Sequence, residues 1–100
     1  MFRTVMMEDF ATLLQKYLVM GDTMIATLKN ACNTENIELL TRTAHSFGSS
    51  SHQLGAVKLK NILVQLEHDA KDMAQAEQLL LIENSCEQFT EVKIHLQKFL

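Results

Sequence analysis

His45 stands among small residues: Ala44 and Ser46 flank it, and Gly48, Ser49, Ser50 and Ser51 follow within six positions. An imidazole offers a lone pair near neutral pH, so a histidine can serve as nucleophile, proton carrier or metal ligand. Which role is open depends on what shares its face. Ile37, Leu40, Ala44, Phe47, Ser51 and Leu54 recur at spacings of 3-4-3-4-3, the pattern of one inward helix face. With that stripe turned inward, His45 lies roughly 100° round from Ala44, on the boundary towards solvent. Its surface neighbours are Thr41, Arg42, Gly48 and Ser49, three and four positions away. Mid-helix glycine costs about 1 kcal/mol relative to alanine, and serine somewhat less, so four such residues in a row have a reason in packing or in use. The missing side-chain bulk clears the ring for close approach by a second macromolecule. A histidine that attacks a phosphoryl group bound to another protein needs that access. The plainer reading is a polar surface histidine beside a closely packed helix pair.

The other chemistry-bearing residues are less pointed. His52 lies two turns beyond His45 on the same face, roughly 10 Å by helical rise. That is too far to share a metal ion in a straight helix, and it suits contact with a docked partner. His68 with Asp72, and Glu91 with His95, have the four-residue spacing of surface ion pairs, and no metal site is assigned. Cys32 and Cys86 form no CxxC pair. Cys86 reads as a reduced core residue, and Cys32, at a helix end, as an exposed thiol with nothing nearby to activate it. Met6, Met7, Met20, Met24 and Met73 fit core or boundary positions. No serine, histidine and carboxylate are brought together by any identifiable element, and no glycine-rich phosphate loop is present.

The elements that position His45 follow from composition and periodicity. One hundred residues allow one domain, 1–100, and 47% hydrophobic with 21% charged residues is a globular balance. Two cysteines exclude a disulfide scaffold, and no apolar run approaches the length of a membrane span. The opening MFRTVMMEDF lacks a signal peptide's apolar core and cleavage site, so the cytoplasm is the default compartment. Nine basic residues against twelve acidic ones argue against nucleic-acid binding. Proline is absent and glycine occurs three times, too little turn chemistry for a sheet protein.

Val5, Phe10, Leu13, Leu14, Tyr17 and Leu18 form a first helical stripe, interrupted at Gly21-Asp22. Either Asp22 caps a second, short helix carrying Met24, Ile25, Leu28 and Ala31, or Gly21 kinks one longer helix. Asn33 or Thr34 caps the helix of His45, and Gly55 ends it. Ala56, Leu59, Leu63, Leu66, Ala70 and Met73 make the next. The last, from about Ala74, lines up Leu79, Ile82, Cys86, Phe89, Val92, Leu96 and Phe99. Short connections force neighbours to alternate in direction, which gives an all-α, antiparallel four-helix bundle with an additional N-terminal helix.

From Leu39 to Leu66 the chain carries no aspartate or glutamate in twenty-eight residues, yet it carries Arg42, Lys58 and Lys60. Here the sequence resembles the histidine-containing phosphotransfer (HPt) domains of multistep phosphorelays. Their motif runs Ala-His-x-Leu-Lys-Gly-Ser-Ser-x-x-Leu-Gly-Ala and is followed by a leucine-glutamate pair. Ala44, His45, the apolar Phe47, Ser50, Ser51, Leu54, Gly55 and Ala56 fall in register without a gap, and Leu66-Glu67 lies at the expected distance. The flanking helices fit too, so the resemblance covers nearly the whole chain.

The resemblance implies a carrier rather than a stand-alone kinase. His45 is then the phosphoacceptor, taking a phosphoryl group from a receiver-domain aspartate and passing it to another receiver. The carrier needs no cofactor of its own, because Mg²⁺ resides in the partner receiver. A surface free of carboxylates suits an acidic partner pocket and an anionic phosphoimidazole. Two positions depart from the motif: the family's lysine is Gly48 here and its glycine is Ser49. Arg42, Lys58 or Lys60 must then neutralise the phosphoryl group, or nothing does, and transfer should be slower than the family norm. Ser49 has a hydroxyl to offer a phosphoryl oxygen or the imidazole. Glu67 sits where the family has an acid or amide that reaches towards the histidine, and Thr41 and His52 are expected in docking. The expected partners are response-regulator receivers, with the chain either a free-standing monomeric carrier or the last domain of a membrane-bound hybrid sensor kinase. Neither nucleic acid nor insertion of this segment into a membrane is expected. The alternative is a degenerate docking module that binds receivers without carrying phosphate.

Overall fold

Without proline, and with glycine rare, long stretches of this chain have nothing to stop a helix once it has started. The computed structural model describes the backbone of residues 2–100 and the side chains of residues 10–100, so Val5, Met6 and Met7 lie outside the described side chains. Four α-helices follow one another: α1 (Phe2–Asn33), α2 (Ile37–Gln53), α3 (Val57–Asp69) and α4 (Gln75–Gln97). A 3₁₀ turn, Ala70–Asp72, closes α3. Connections of two or three residues reverse the chain each time, and α2 packs on α1 and α3 while α4 packs on the same two helices. The result is the expected antiparallel four-helix bundle. No strand occurs among the described residues, and none of their helices is long and apolar enough to cross a membrane.

The additional N-terminal helix is continuous with the first helix of the bundle. Gly21 neither ends nor caps anything. It is buried, and a Cβ there would overlap the ring of Phe89 on α4. The glycine is a contact point where α1 and α4 come together. Asp22 is no N-cap either: its Oδ1 lies 2.7 Å from Lys93 Nζ on α4. The same ammonium stands 5.1 Å from the centroid of the Phe89 ring.

The α1–α2 turn also differs from expectation. Asn36, not Asn33 or Thr34, caps α2, its Oδ1 accepting the Leu39 N–H at 3.1 Å. Asn33 is the last residue of α1, and Thr34 Oγ1 donates back to the Asn30 carbonyl. Glu35 takes the left-handed conformation at φ 55°, with the N–H groups of Asn36 and Glu35 donating to the carbonyls of Ala31 and Cys32. Gly55 does the same at the end of α2 at φ 77°, where Ala56 and Gly55 donate to Ser51 and His52. Both turns are Schellman motifs, and only the second has the residue that adopts this backbone without strain.

Leu40, Ala44, Phe47 and Ser51 of α2 are fully buried, as are Leu59, Leu63 and Leu66 of α3. Ile37 is exposed and Leu54 only half-buried, so the inward stripe of α2 is shorter than its apolar pattern. Tyr17, Phe47 and Phe89 meet at the centre with ring centroids 5.4 to 6.2 Å apart. Beside them the Tyr17 hydroxyl and Ser51 Oγ lie 2.8 Å apart in a buried hydrogen bond. Burial raises the Tyr17 pKa, and the hydrogen bond from Ser51 partly offsets it.

On α4 the buried residues are Gln78, Ile82, Ser85 and Phe89, while Leu79 and, beyond the end of the helix, Phe99 are exposed. Gln78 is tolerated inside because its Nε2 donates to the Ala70 carbonyl at 2.7 Å. Cys32 is buried against the Gln75 carbonyl rather than exposed, which pushes its thiol pKa up, and Cys86 is half-buried.

Two substitutions test these contacts by urea denaturation. Gly21→Ala forces the Phe89 ring aside inside a filled core and should lower stability by about 1–3 kcal/mol. Glu35→Gly relieves a left-handed residue and should raise stability by about 1 kcal/mol.

Candidate functional site

With Ala44, Phe47 and Ser51 held inside, the geometry of α2 leaves His45 no choice but to point outward, and its side chain is 64% exposed. The turn at Gly55 returns the chain so that α3 runs antiparallel beside α2. Leu59, Leu63 and Leu66 take the inward face of α3, which puts Lys60, Val64 and Glu67 on the neighbouring stripe. Glu67 therefore arrives opposite His45. Its Oε2 lies 2.8 Å from His45 Nδ1, and its side chain is 27% exposed.

That contact assigns the tautomer. An ionised carboxylate can only accept, so in the neutral ring Nδ1 carries the proton and donates a hydrogen bond to Glu67. The lone pair is then on Nε2, on the far side of the ring from Glu67.

A shallow groove of about 190 Å³ opens beside the ring. Its α2 wall is His45, Gly48, Ser49 and His52, and its α3 wall is Lys60, Val64 and Glu67. The antiparallel register places Glu67 level with His45, and Lys60 towards the His52 end. Gly48 is buried where a Cβ would stand 3.6 Å from Leu63 Cβ, an ordinary contact. Close helix packing therefore does not require glycine at 48. Its effect is to keep the α2 wall low between His45 and His52.

Of the residues singled out by sequence, the groove unites His45, Gly48, Ser49, His52, Lys60 and Glu67. Arg42 does not join them. It lines a separate cavity between α1 and α2 with Met20, Thr23 and Met24. Lys58 is also elsewhere, in a cavity with Glu91 and His95 of α4. Thr41 lies outside the groove, its Oγ1 donating to the Ile37 carbonyl of its own helix at 3.0 Å. Neither His68 with Asp72 nor Glu91 with His95 forms an ion pair among the described residues. Sequence reasoning missed Val64, the apolar floor between Lys60 and Glu67. It also missed the Tyr17–Ser51 bond that ties the helix of His45 to α1. Val64 was legible as the residue four after Lys60; nothing in the sequence pairs Tyr17 with Ser51.

Comparison with known proteins bears on the family and the fold. A family model described as the Hpt domain matches residues 12–97. Histidine-containing phosphotransfer protein B from Pseudomonas aeruginosa PAO1, known from its crystal structure, superposes with a TM-score of 0.87. The two are 27% identical, and the match covers 97% of this chain and 84% of that one. No curated protein matches. A helical bundle carrying this groove, matched over residues 12–97, belongs to the Hpt domain family, the histidine phosphotransfer modules of phosphorelays.

Proposed function

We propose that His45 is the phosphoacceptor, and that its Nε2 takes a phosphoryl group from a receiver-domain aspartyl phosphate and passes it to the aspartate of another receiver. The observation that carries this reading is the His45–Glu67 contact at 2.8 Å on a ring that stays 64% exposed. It leaves the unprotonated nitrogen facing outward, where a second protein can present phosphorus.

In the transfer, the Nε2 lone pair forms the N–P bond as the P–O bond to the receiver's aspartate breaks. The carboxylate leaves with the electron pair, held by the Mg²⁺ that the receiver contributes. Sharing the lone pair makes the ring imidazolium-like, and Glu67 accepts a hydrogen bond from the Nδ1 proton throughout, so the positive charge develops opposite a carboxylate. The reverse reaction runs through the same atoms. Phosphohistidine and aspartyl phosphate are both energy-rich, so the group moves either way according to supply.

The surroundings suit a docked receiver. No residue from Leu39 to Leu66 is acidic, so this face does not repel an acidic pocket. An apolar recess of about 220 Å³ between α1 and α2, containing Leu13, Met20 and Leu54, offers further area for contact.

The test is transfer of label from radiolabelled phospho-receivers with Mg²⁺. Acid-labile, base-stable label on this chain, absent from His45→Gln, is the expected outcome. Binding of a receiver without label would overturn the carrier reading and leave a docking module. A second measurement addresses Glu67. Two-bond ¹⁵N–¹H correlation spectra of neutral His45 should show the proton on Nδ1, and Glu67→Ala should give a mixture of tautomers.

A further inference from the structure

We propose that Lys60, on the α3 wall of the groove, supplies the positive charge that neutralises the phosphoryl group carried on His45. The proposal rests on His45 as phosphoacceptor and names the residue that completes its site.

The acid-free segment carries three cations, and the fold separates them. Arg42 opens onto the α1–α2 side and Lys58 onto α4, whereas Lys60 shares the groove with His45. Lys60 is half-buried, lines the groove, and makes no ion pair among the described residues. The groove's one carboxylate, Glu67, is seven residues further along α3, roughly 10 Å by helical rise, and is engaged with His45 Nδ1. Lys60 thus has a free ammonium on a flexible four-carbon stem.

Between that ammonium and His45 the walls are low. Gly48 and Ser49 offer nothing longer than a hydroxymethyl group on α2, and Val64 is a short apolar residue on α3. A phosphoryl group on Nε2 brings an anion beside a groove with no other lysine or arginine among its lining residues. A charge-assisted hydrogen bond from Lys60 satisfies it. His52, the remaining nitrogen-bearing group there, lies at the Lys60 end, two turns from His45.

Phosphoramidate separates this role from docking, because it is a small donor that needs no receiver. The N–P bond to Nε2 forms as the donor's P–N bond breaks, and ammonia leaves with its electron pair. Phosphorylation rate and phosphohistidine half-life would be measured for the folded variants, alongside receiver affinity. Lys60→Gln should slow phosphorylation by phosphoramidate about tenfold. Lys60→Arg should keep most of the rate, and Lys58→Gln should leave it unchanged. Adding Gly48→Lys to Lys60→Gln should restore the rate from the opposite wall, since a Cβ at 48 meets only an ordinary contact. A wild-type rate and half-life in Lys60→Gln, with His45→Gln unlabelled, would overturn the role of Lys60 and leave the phosphoacceptor standing. Weaker receiver binding with an unchanged phosphoramidate rate would overturn it as well, and make Lys60 a docking residue. Label on His45→Gln would instead sink the phosphoacceptor reading itself.

Discussion

Phe47 and His45 are two residues apart on α2, and two residues turn a helix through roughly 200°. Whatever holds Phe47 inside therefore holds His45 outside. Phe47 is fully buried, with the rings of Tyr17 and Phe89 5.4 to 6.2 Å away. Phe89 reaches that position only because Gly21 leaves room for it on α1. The Tyr17–Ser51 bond then fixes α2 along its axis as well as about it. The exposure of one imidazole is thus set by an aromatic contact between α1 and α4, neither of which contributes a residue to the groove. A buried hydrogen bond between two neutral hydroxyls suits this task. It is directional, and leaving either partner unpaired would cost about 1–3 kcal/mol.

The groove itself makes little structure and much access. A surface helix would ordinarily gain from longer side chains at 48 and 49, both in propensity and in covered area. This one forgoes them beside the exposed His45. The same region excludes carboxylates along the chain from Leu39 to Leu66 and then uses one, Glu67, immediately after. The exception is consistent with the rule. A free carboxylate here would repel an incoming phosphoryl group, whereas Glu67 points at Nδ1 and its charge is directed to the ring nitrogen that does not react.

How much of this was legible depends on how cleanly each helix separates its faces. In α2 the spacing of Leu40, Ala44, Phe47 and Ser51 admits one inward face, so the exposure of His45 followed from sequence. In α4 four consecutive apolar residues, Leu79 to Ile82, leave the register undetermined, and the buried set proved to include Gln78 and Ser85. Those two are stable inside because each donates to a backbone carbonyl, Ala70 and Leu81 respectively, which a one-dimensional pattern does not show. Gly21 misled for a related reason. Glycine breaks helices through its backbone freedom, but it also admits a neighbour where any Cβ would clash, and only the packed structure distinguishes the two uses. Asn33, Thr34 and Asn36 are all competent caps; the left-handed turn at Glu35 decided among them. Lys58 and Lys60 were separable in principle. They flank Leu59, and the stripe Leu59, Leu63, Leu66 places Lys60, Val64 and Glu67 together.

The counter-charge proposed on α3, rather than on the helix of the histidine, would change what phosphorylation does to the fold. A cation one turn from His45 on α2 would close the circuit within a single helix. Lys60 closes it across two. In the unphosphorylated form a single polar contact, from Glu67, ties His45 to α3. With a phosphoryl group on Nε2 and Lys60 drawn to it, α3 holds the modified ring from both sides, through Glu67 on Nδ1 and Lys60 on the phosphoryl oxygens. The strength of the second tie would depend on the spacing of α2 and α3, which a Cβ at 48 would leave undisturbed. The glycine that removes a local lysine also keeps the α2 wall low between His45 and the end of the groove where Lys60 stands. On the proposed reading, a receiver taking the phosphoryl group back would break the Lys60 contact and leave the Glu67 contact intact, so the cost of unloading would fall on the charge pair and not on the orientation of the ring.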